Sequence, residues 1–238
     1  MRDVRRLQRR LLAGCLVAGP VALVATFATW PSYGADTAAE AVRSAARHST
    51  ALNLSTWLTV PVIVCMIPAM LAAGRITRRS APLLSLSGTA LAVLGWAAVY
   101  APIAIDSVAR QAAAEPGRPQ AVIHLYDRFE NADVGLSIAF GFFIAGHVLG
   151  TALVGCALWR SRSVERWGAT LIVVGSVLHP VARVAVGSRW LDVLAALLLT
   201  AGLAAVARVV WTLPDDDWDL APRWVEEEPA PIPAPSAG

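Results

Sequence analysis

Two long apolar runs lie between Val134 and Val186, separated only by the charged link Arg160–Arg166. A helix needs about 20 apolar residues, rising 1.5 Å each, to cross ~30 Å of hydrocarbon, and both runs meet that length. Inside a bilayer no water is available, so each run must close its own backbone hydrogen bonds, and a helix is the open-ended structure that does so. The pattern recurs along the chain, with apolar runs at 11–30, 52–73, 82–105, 134–159, 167–186 and 190–211. The expected fold is all-α: a polytopic membrane protein of the cell membrane, with a bundle of six transmembrane helices over residues 1–212. The remainder, 213–238, is rich in Asp, Glu and Pro, and its composition reads as a disordered cytoplasmic tail.

Composition supports the membrane class. Of 238 residues 56% are hydrophobic and 16% charged, against about 25% charged in a typical soluble domain. The basic residues are all arginine and cluster at the ends of the apolar runs, so the net charge of +3 reads as a topology signal, not a nucleic-acid footprint. Cys15, Cys65 and Cys156 share no metal-ligand spacing and read as small buried apolar residues. No nucleotide-binding, GxSxG or HExxH motif occurs, so no catalytic residue and no metal ligand is nominated.

Orientation follows from the arginines. Met1–Arg10 carries five of them, and the short links hold Arg75, Arg78, Arg79, Arg160, Arg162 and Arg166. Positive residues stay on the cytoplasmic side, so both termini are expected there. Trp30, Trp57 and Trp190 would then mark the outer interface, and Trp159, Trp167 and Trp211 the inner one. Leu12-Ala13-Gly14-Cys15 resembles a lipoprotein cleavage motif, but only Leu11–Gly14 precede the cysteine as apolar residues, too few for a signal core. The first run is therefore expected to remain as a helix.

Outside, Thr37-Ala-Ala-Glu40 has capping-box spacing and predicts a helix over about 38–47. The longest loop, 106–133, breaks at Glu115-Pro-Gly-Arg-Pro119. Beyond the break, Val122, Leu125, Tyr126 and Phe129 recur at helical spacing, which predicts an amphipathic surface helix. His48, His124, Asp127 and Glu130 offer a metal or ligand site at the loop mouth, with a solvated polar face as the plainer reading.

The buried polar groups converge on the last three runs. His147 lies twelve residues before Trp159, and His179 twelve after Trp167. Both are thus about 18 Å from the same interface, near mid-membrane. Gly168, Gly175, His179 and Arg183 share one helical stripe, and Ala139, Gly146, Gly150 and Ala157 form a small-residue stripe beside His147, with Thr151 one turn on. Arg183 and Asp192 fall at compatible depths for an ion pair near the outer interface, with snorkelling of Arg183 and helix capping by Asp192 as the plain alternative.

His147, Thr151, His179, Arg183 and Asp192 are accordingly the candidate pocket residues. Three readings attach to them. The histidines can be hydrogen-bonded core residues that fix helix register. They can line a polar cavity for a small solute or a proton, with no cofactor. They can be the axial ligands of a haem b in a redox subunit. A structural or partner-binding protein that docks through the outer loop or tail is the further alternative. The lipid bilayer is the one partner the sequence requires.

Overall fold

The computed structural model describes residues 4–35, 37–114 and 119–219, without the side chains of 102, 105, 112, 119, 122, 126 and 129–132. Among the described residues all regular structure is helical. Five helices are long and apolar enough to cross a membrane: α1 (Arg5–Thr29), α3 (Ser49–Thr77), α7 (Val134–Ser161), α8 (Arg166–Val186) and α9 (Arg189–Thr212). Shorter helices follow in the order α2 (Ala38–Arg47), α4 (Pro82–Ala97), α5 (Tyr100–Ala114), α6 (Pro119–Ala132) and α10 (Asp215–Trp218).

The run expected at 82–105 is split into α4 and α5, and Pro102 supplies the reason. Proline has no N–H to donate, and inside a helix its ring meets the carbonyl four residues back. Restarting the helix at Tyr100 puts Pro102 in the first turn, where N–H groups have no intrahelical acceptor anyway. Pro82 uses the same property at the start of α4. Pro61 and Pro68, by contrast, lie within the unbroken α3.

Much of the region expected as loop, 106–133, is therefore helix. The capping of α2 matches its sequence signal, since the Thr37 side chain accepts a hydrogen bond from the Glu40 amide. α6 begins at Pro119, the last residue of the expected break, and carries the stretch whose spacing predicts a helix. Of its expected apolar face, Leu125 is 62% exposed. The side chains of Val122, Tyr126 and Phe129 lie outside the described residues.

Helices α1, α3, α8 and α9 pack around one apolar core containing Leu16, Met66, Met70, Ile172, Leu203 and Val206. A second, smaller core joins α2 and α5 over the far end, through Ala41, Val42, Ala45, Leu52, Ala101 and Ala109. Small residues set the close contacts: Gly168 and Gly202 meet across α8 and α9, where an added Cβ would press on a backbone oxygen or a neighbouring methyl. The three cysteines are free thiols, but Cys156 is exposed and Cys15 and Cys65 only partly buried. The expectation that all three are buried fails because the outward face of a membrane helix is as apolar as its core, so apolar sequence context does not mark burial.

The chain returns to its starting end. Arg5 pairs with Asp216 at 2.7 Å, Arg9 with Asp215 at 2.8 Å and Arg75 with Asp219 at 2.5 Å. Trp218 is 1% exposed, with the Arg75 guanidinium 4.7 Å from its ring centre. Residues 213–219 therefore pack, although composition reads them as part of an unpacked tail. The acidic residues find arginine partners on α1 and α3, and the tryptophan supplies apolar surface. Residues 220–238 lie outside the described residues.

Candidate functional site

His147 is held by an unusually close crossing. It lies in a π-helical turn of α7, Gly146–Gly150, where the helix widens by one residue per turn. Gly146 and Gly150 bring that turn against Leu91, Ala92 and Gly95 of α4, so near that a Cβ on Gly95 would fall on the backbone of Gly146 and His147. The His147 ring stacks on Phe143, centroids 4.2 Å apart, and meets Trp96 edge-on at 5.5 Å. Its Nδ1 is 2.5 Å from the Phe143 carbonyl oxygen, and its buried Nε2 has no hydrogen-bond partner. Trp96 Nε1 donates to Thr151 Oγ1 at 3.3 Å.

His179 approaches from α8, one residue before Pro180 and the π-helical segment Val181–Val186. Its Nδ1 is 2.5 Å from Asp192 Oδ1, and its ring stacks on Phe27 at 5.3 Å. The two histidine rings touch edge to face, with centroids 5.2 Å apart. Equal offsets from the interface, read across the short link, thus become direct contact.

Asp192 is fully buried in the first turn of α9, where the helix dipole favours an anion. Tyr33 donates to its other oxygen at 3.1 Å. Both carboxylate oxygens are therefore engaged, and Arg183 is not among their partners. The expected Arg183–Asp192 pair is replaced by a different arrangement, with the Arg183 guanidinium 4.4 Å from the ring centres of both Trp30 and Tyr33. Depth explains the change: Asp192 lies level with His179, and Arg183 is a turn further out, beside the aromatic residues that follow α1. Burial, with the Asp192 carboxylate next in importance, pushes the Tyr33 hydroxyl up to about 12.

A cavity of about 190 Å³ opens between these helices. His147, Thr151, His179 and Arg183 line it, and Asp192 stands behind His179, off the wall. Most of the remaining wall is apolar, including Phe27, Phe140, Phe143, Val148 and Leu199. Every lining residue of α1, α3 and α9 comes from the half of its helix away from the chain termini. Thr151 and Ser176 lie at the deep end. Beyond them Leu16, Met66, Ile172 and Leu203, each fully buried, fill the bundle.

The arrangement does not accommodate a porphyrin between the histidines. A bis-histidine haem holds its axial rings on opposite faces of the macrocycle, whereas here the rings touch each other with no plane between them. Toward the far end, His124 and Asp127 are exposed on α6 and His48 joins α2 to α3; the Glu130 side chain lies outside the described residues. Among the described residues no three His, Cys, Asp or Glu side chains gather as a metal site.

Sequence reading omitted Phe27, Tyr33, Gly95, Trp96 and Phe143. Gly95 and Trp96 carry a faint signal, because Gly88 and Gly95 repeat at heptad spacing as a partner stripe for the glycines of α7. Phe27 and Tyr33 carry none, since more than a hundred residues separate them from the groups they touch. No known protein family, curated protein or solved structure matches the chain.

Proposed function

We propose that the chain is a six-span integral membrane protein, with both termini cytoplasmic, that holds a small solute in a pocket within the outer half of its bundle. The observation that carries the binding reading is the pairing of Asp192 with His179 at the wall of a cavity into which His147 also faces. A carboxylate with no exposed surface is expensive within an apolar bundle. Here it is hydrogen-bonded on both oxygens and fixes the orientation of a cavity-lining ring.

Parity supports six crossings. Arg5 and Asp216 are 2.7 Å apart at opposite ends of the described chain, which supports an even number of crossings. Five helices are long enough, and α4, continued by α5, supplies the sixth crossing. The arginine-dense links before Pro82 and Trp167 fall at the end of the bundle where the termini meet, which the positive-inside rule assigns to the cytoplasm. Trp57 and Trp190 are 73% and 72% exposed toward the other end, in keeping with an interfacial belt.

Binding is favoured over conduction because the cavity has a floor. It is favoured over a purely structural role because His147 Nε2 is buried and unpartnered, and a histidine retained only for packing gains nothing from that. Docking through the acidic segment is disfavoured because Asp215, Asp216 and Asp219 already pair within the chain.

Phenol is a suitable probe of the cavity. It is expected to raise the thermal unfolding midpoint of the detergent-purified full chain. The rise is expected to disappear in Ala196→Leu and in Thr56→Leu, each of which fills the cavity from a different helix. Equal responses in the parent and both filled variants overturn the pocket. A reporter inserted at residues 115–118 is expected to read from outside; a cytosolic signal overturns the topology.

A further inference from the structure

The cavity wall has a hydrogen-bonding sign. The Phe143 carbonyl oxygen can only accept, so His147 Nδ1 donates to it and carries the ring hydrogen. In the neutral ring that leaves Nε2 as a bare acceptor, buried and without a partner. His179 repeats the pattern: Nδ1 donates to the Asp192 carboxylate, and in the neutral ring Nε2 remains an acceptor.

The hydroxyl groups agree. Thr26, Ser55, Thr56, Thr59 and Ser176 line the cavity, and each gives its hydrogen to a carbonyl of its own helix, at Ala22, Leu52, Leu52, Ser55 and Ile172 respectively. What they show to the cavity is oxygen lone pairs. The unpartnered donors of the wall, Arg183 Nη1 and Trp30 Nε1, sit together at the end away from Thr151, where the Arg183 guanidinium lies over the Trp30 and Tyr33 rings. Thr151, which accepts from Trp96 Nε1, keeps a hydrogen it can turn to the cavity, so the deep part is rich in acceptors, with one hydroxyl donor among them, within apolar walls.

To satisfy His147 Nε2, an occupant must bring a hydrogen. A cation would supply one, but it would pass Arg183; Asp192 is already engaged by His179 and Tyr33, and Asp106, the carboxylate on the cavity wall, is not free either. In the deep part an acceptor-only molecule would leave His147 Nε2 unpaired and meet mostly lone pairs; the unpartnered donors of the wall, Trp30 Nε1 and Arg183, lie at the other end. Size sets the other limit: an apolar cavity of about 150 Å³ accepts benzene, and this one measures about 190 Å³.

Resting on the pocket reading above, we propose that the pocket selects uncharged, largely apolar molecules bearing one O–H or N–H donor, which is placed on His147 Nε2. Phenol and its methyl ether, anisole, test this, because they differ in that one hydrogen. The full chain is labelled with ¹⁵N-histidine, and binding of each probe is followed by titration and by the His147 Nε2 resonance.

Phenol is expected to bind about tenfold more tightly than anisole, the scale of one hydrogen bond to an otherwise unsatisfied buried acceptor. The Nε2 resonance is expected to shift with phenol and to stay in place with anisole. In His147→Phe the preference should vanish while anisole binding persists. Equal affinities with no Nε2 shift in the parent overturn donor selection and leave the pocket standing. Failure of both probes to bind overturns the pocket and this inference with it. The resonance is read in the parent protein, so the result does not depend on the variant folding.

Discussion

Tyr33 gives its hydrogen to a carboxylate from which water is excluded, and Asp192 in turn orients His179. Ionising that phenol would bring a second negative charge against Asp192. Its raised value therefore has a stability consequence of definite sign. Below about 10 the hydroxyl is protonated whether the chain is folded or not, and its contribution is complete. Between about 10 and about 12 the unfolded chain has lost the proton and the folded one keeps it, so stability falls with rising pH. Absorbance at 295 nm is expected to show one tyrosine titrating near 12, and Tyr33→Phe is expected to remove that step. At this scale the sequence was partly legible. Equal distances from two interfacial tryptophans across a short link put His147 and His179 at one depth, whatever else the chain does. It was not legible that Asp192 would choose His179 over Arg183, because that choice depends on Tyr33 and Trp30 arriving from a distant segment.

Helix crossings explain why the site has room at all. α4 and α7 touch backbone to backbone at Gly95, Gly146 and Gly150, and α7 adopts a π turn at the same place. Gly95→Ala is expected to push these helices apart and to cost about 1–3 kcal/mol, the usual range for overpacking a close contact. Gly141→Ala on the same α7 meets open space and is the matched control. Thermal unfolding of the two variants side by side checks this; equal midpoints would mean the crossing is looser than described. Element identity was largely readable because apolar length and capping are local properties: Thr37 starts α2, and the long runs become long helices. The division of the third run was not anticipated, since hydropathy averages over Pro102 while the backbone cannot. The burial of Cys156 was misjudged for a related reason, as hydropathy cannot separate the lipid-facing side of a span from its protein-facing side.

Across the whole molecule, four arginines of α1 and α3, Arg5, Arg6, Arg9 and Arg75, pair with one short acidic segment. Arg9 is 7% exposed and its carboxylate partner is Asp215, so this pair is shielded, whereas the Asp216 side chain is 88% exposed and its pairing is readily screened by salt. Trp218 holds the segment down. Trp218→Ala is expected to remove about 3–5 kcal/mol of packing. The measurable outcome is loss of hydrogen-exchange protection over 215–219, with phenol binding at the distant cavity unchanged. Composition reads this stretch as solvated because it counts charges without knowing that their partners are more than a hundred residues away.

That closure of the chain upon itself fixes a sequence of events. Of the described residues, 215–219 are the last to leave the ribosome, and Arg5 and Arg9 are among the first. Arg5 and Arg9 therefore lack these carboxylate partners until residues 215–219 have been made. Removing residues 215–219 leaves Arg5, Arg6, Arg9 and Arg75 without these carboxylate partners, while every residue that lines the cavity stays in place.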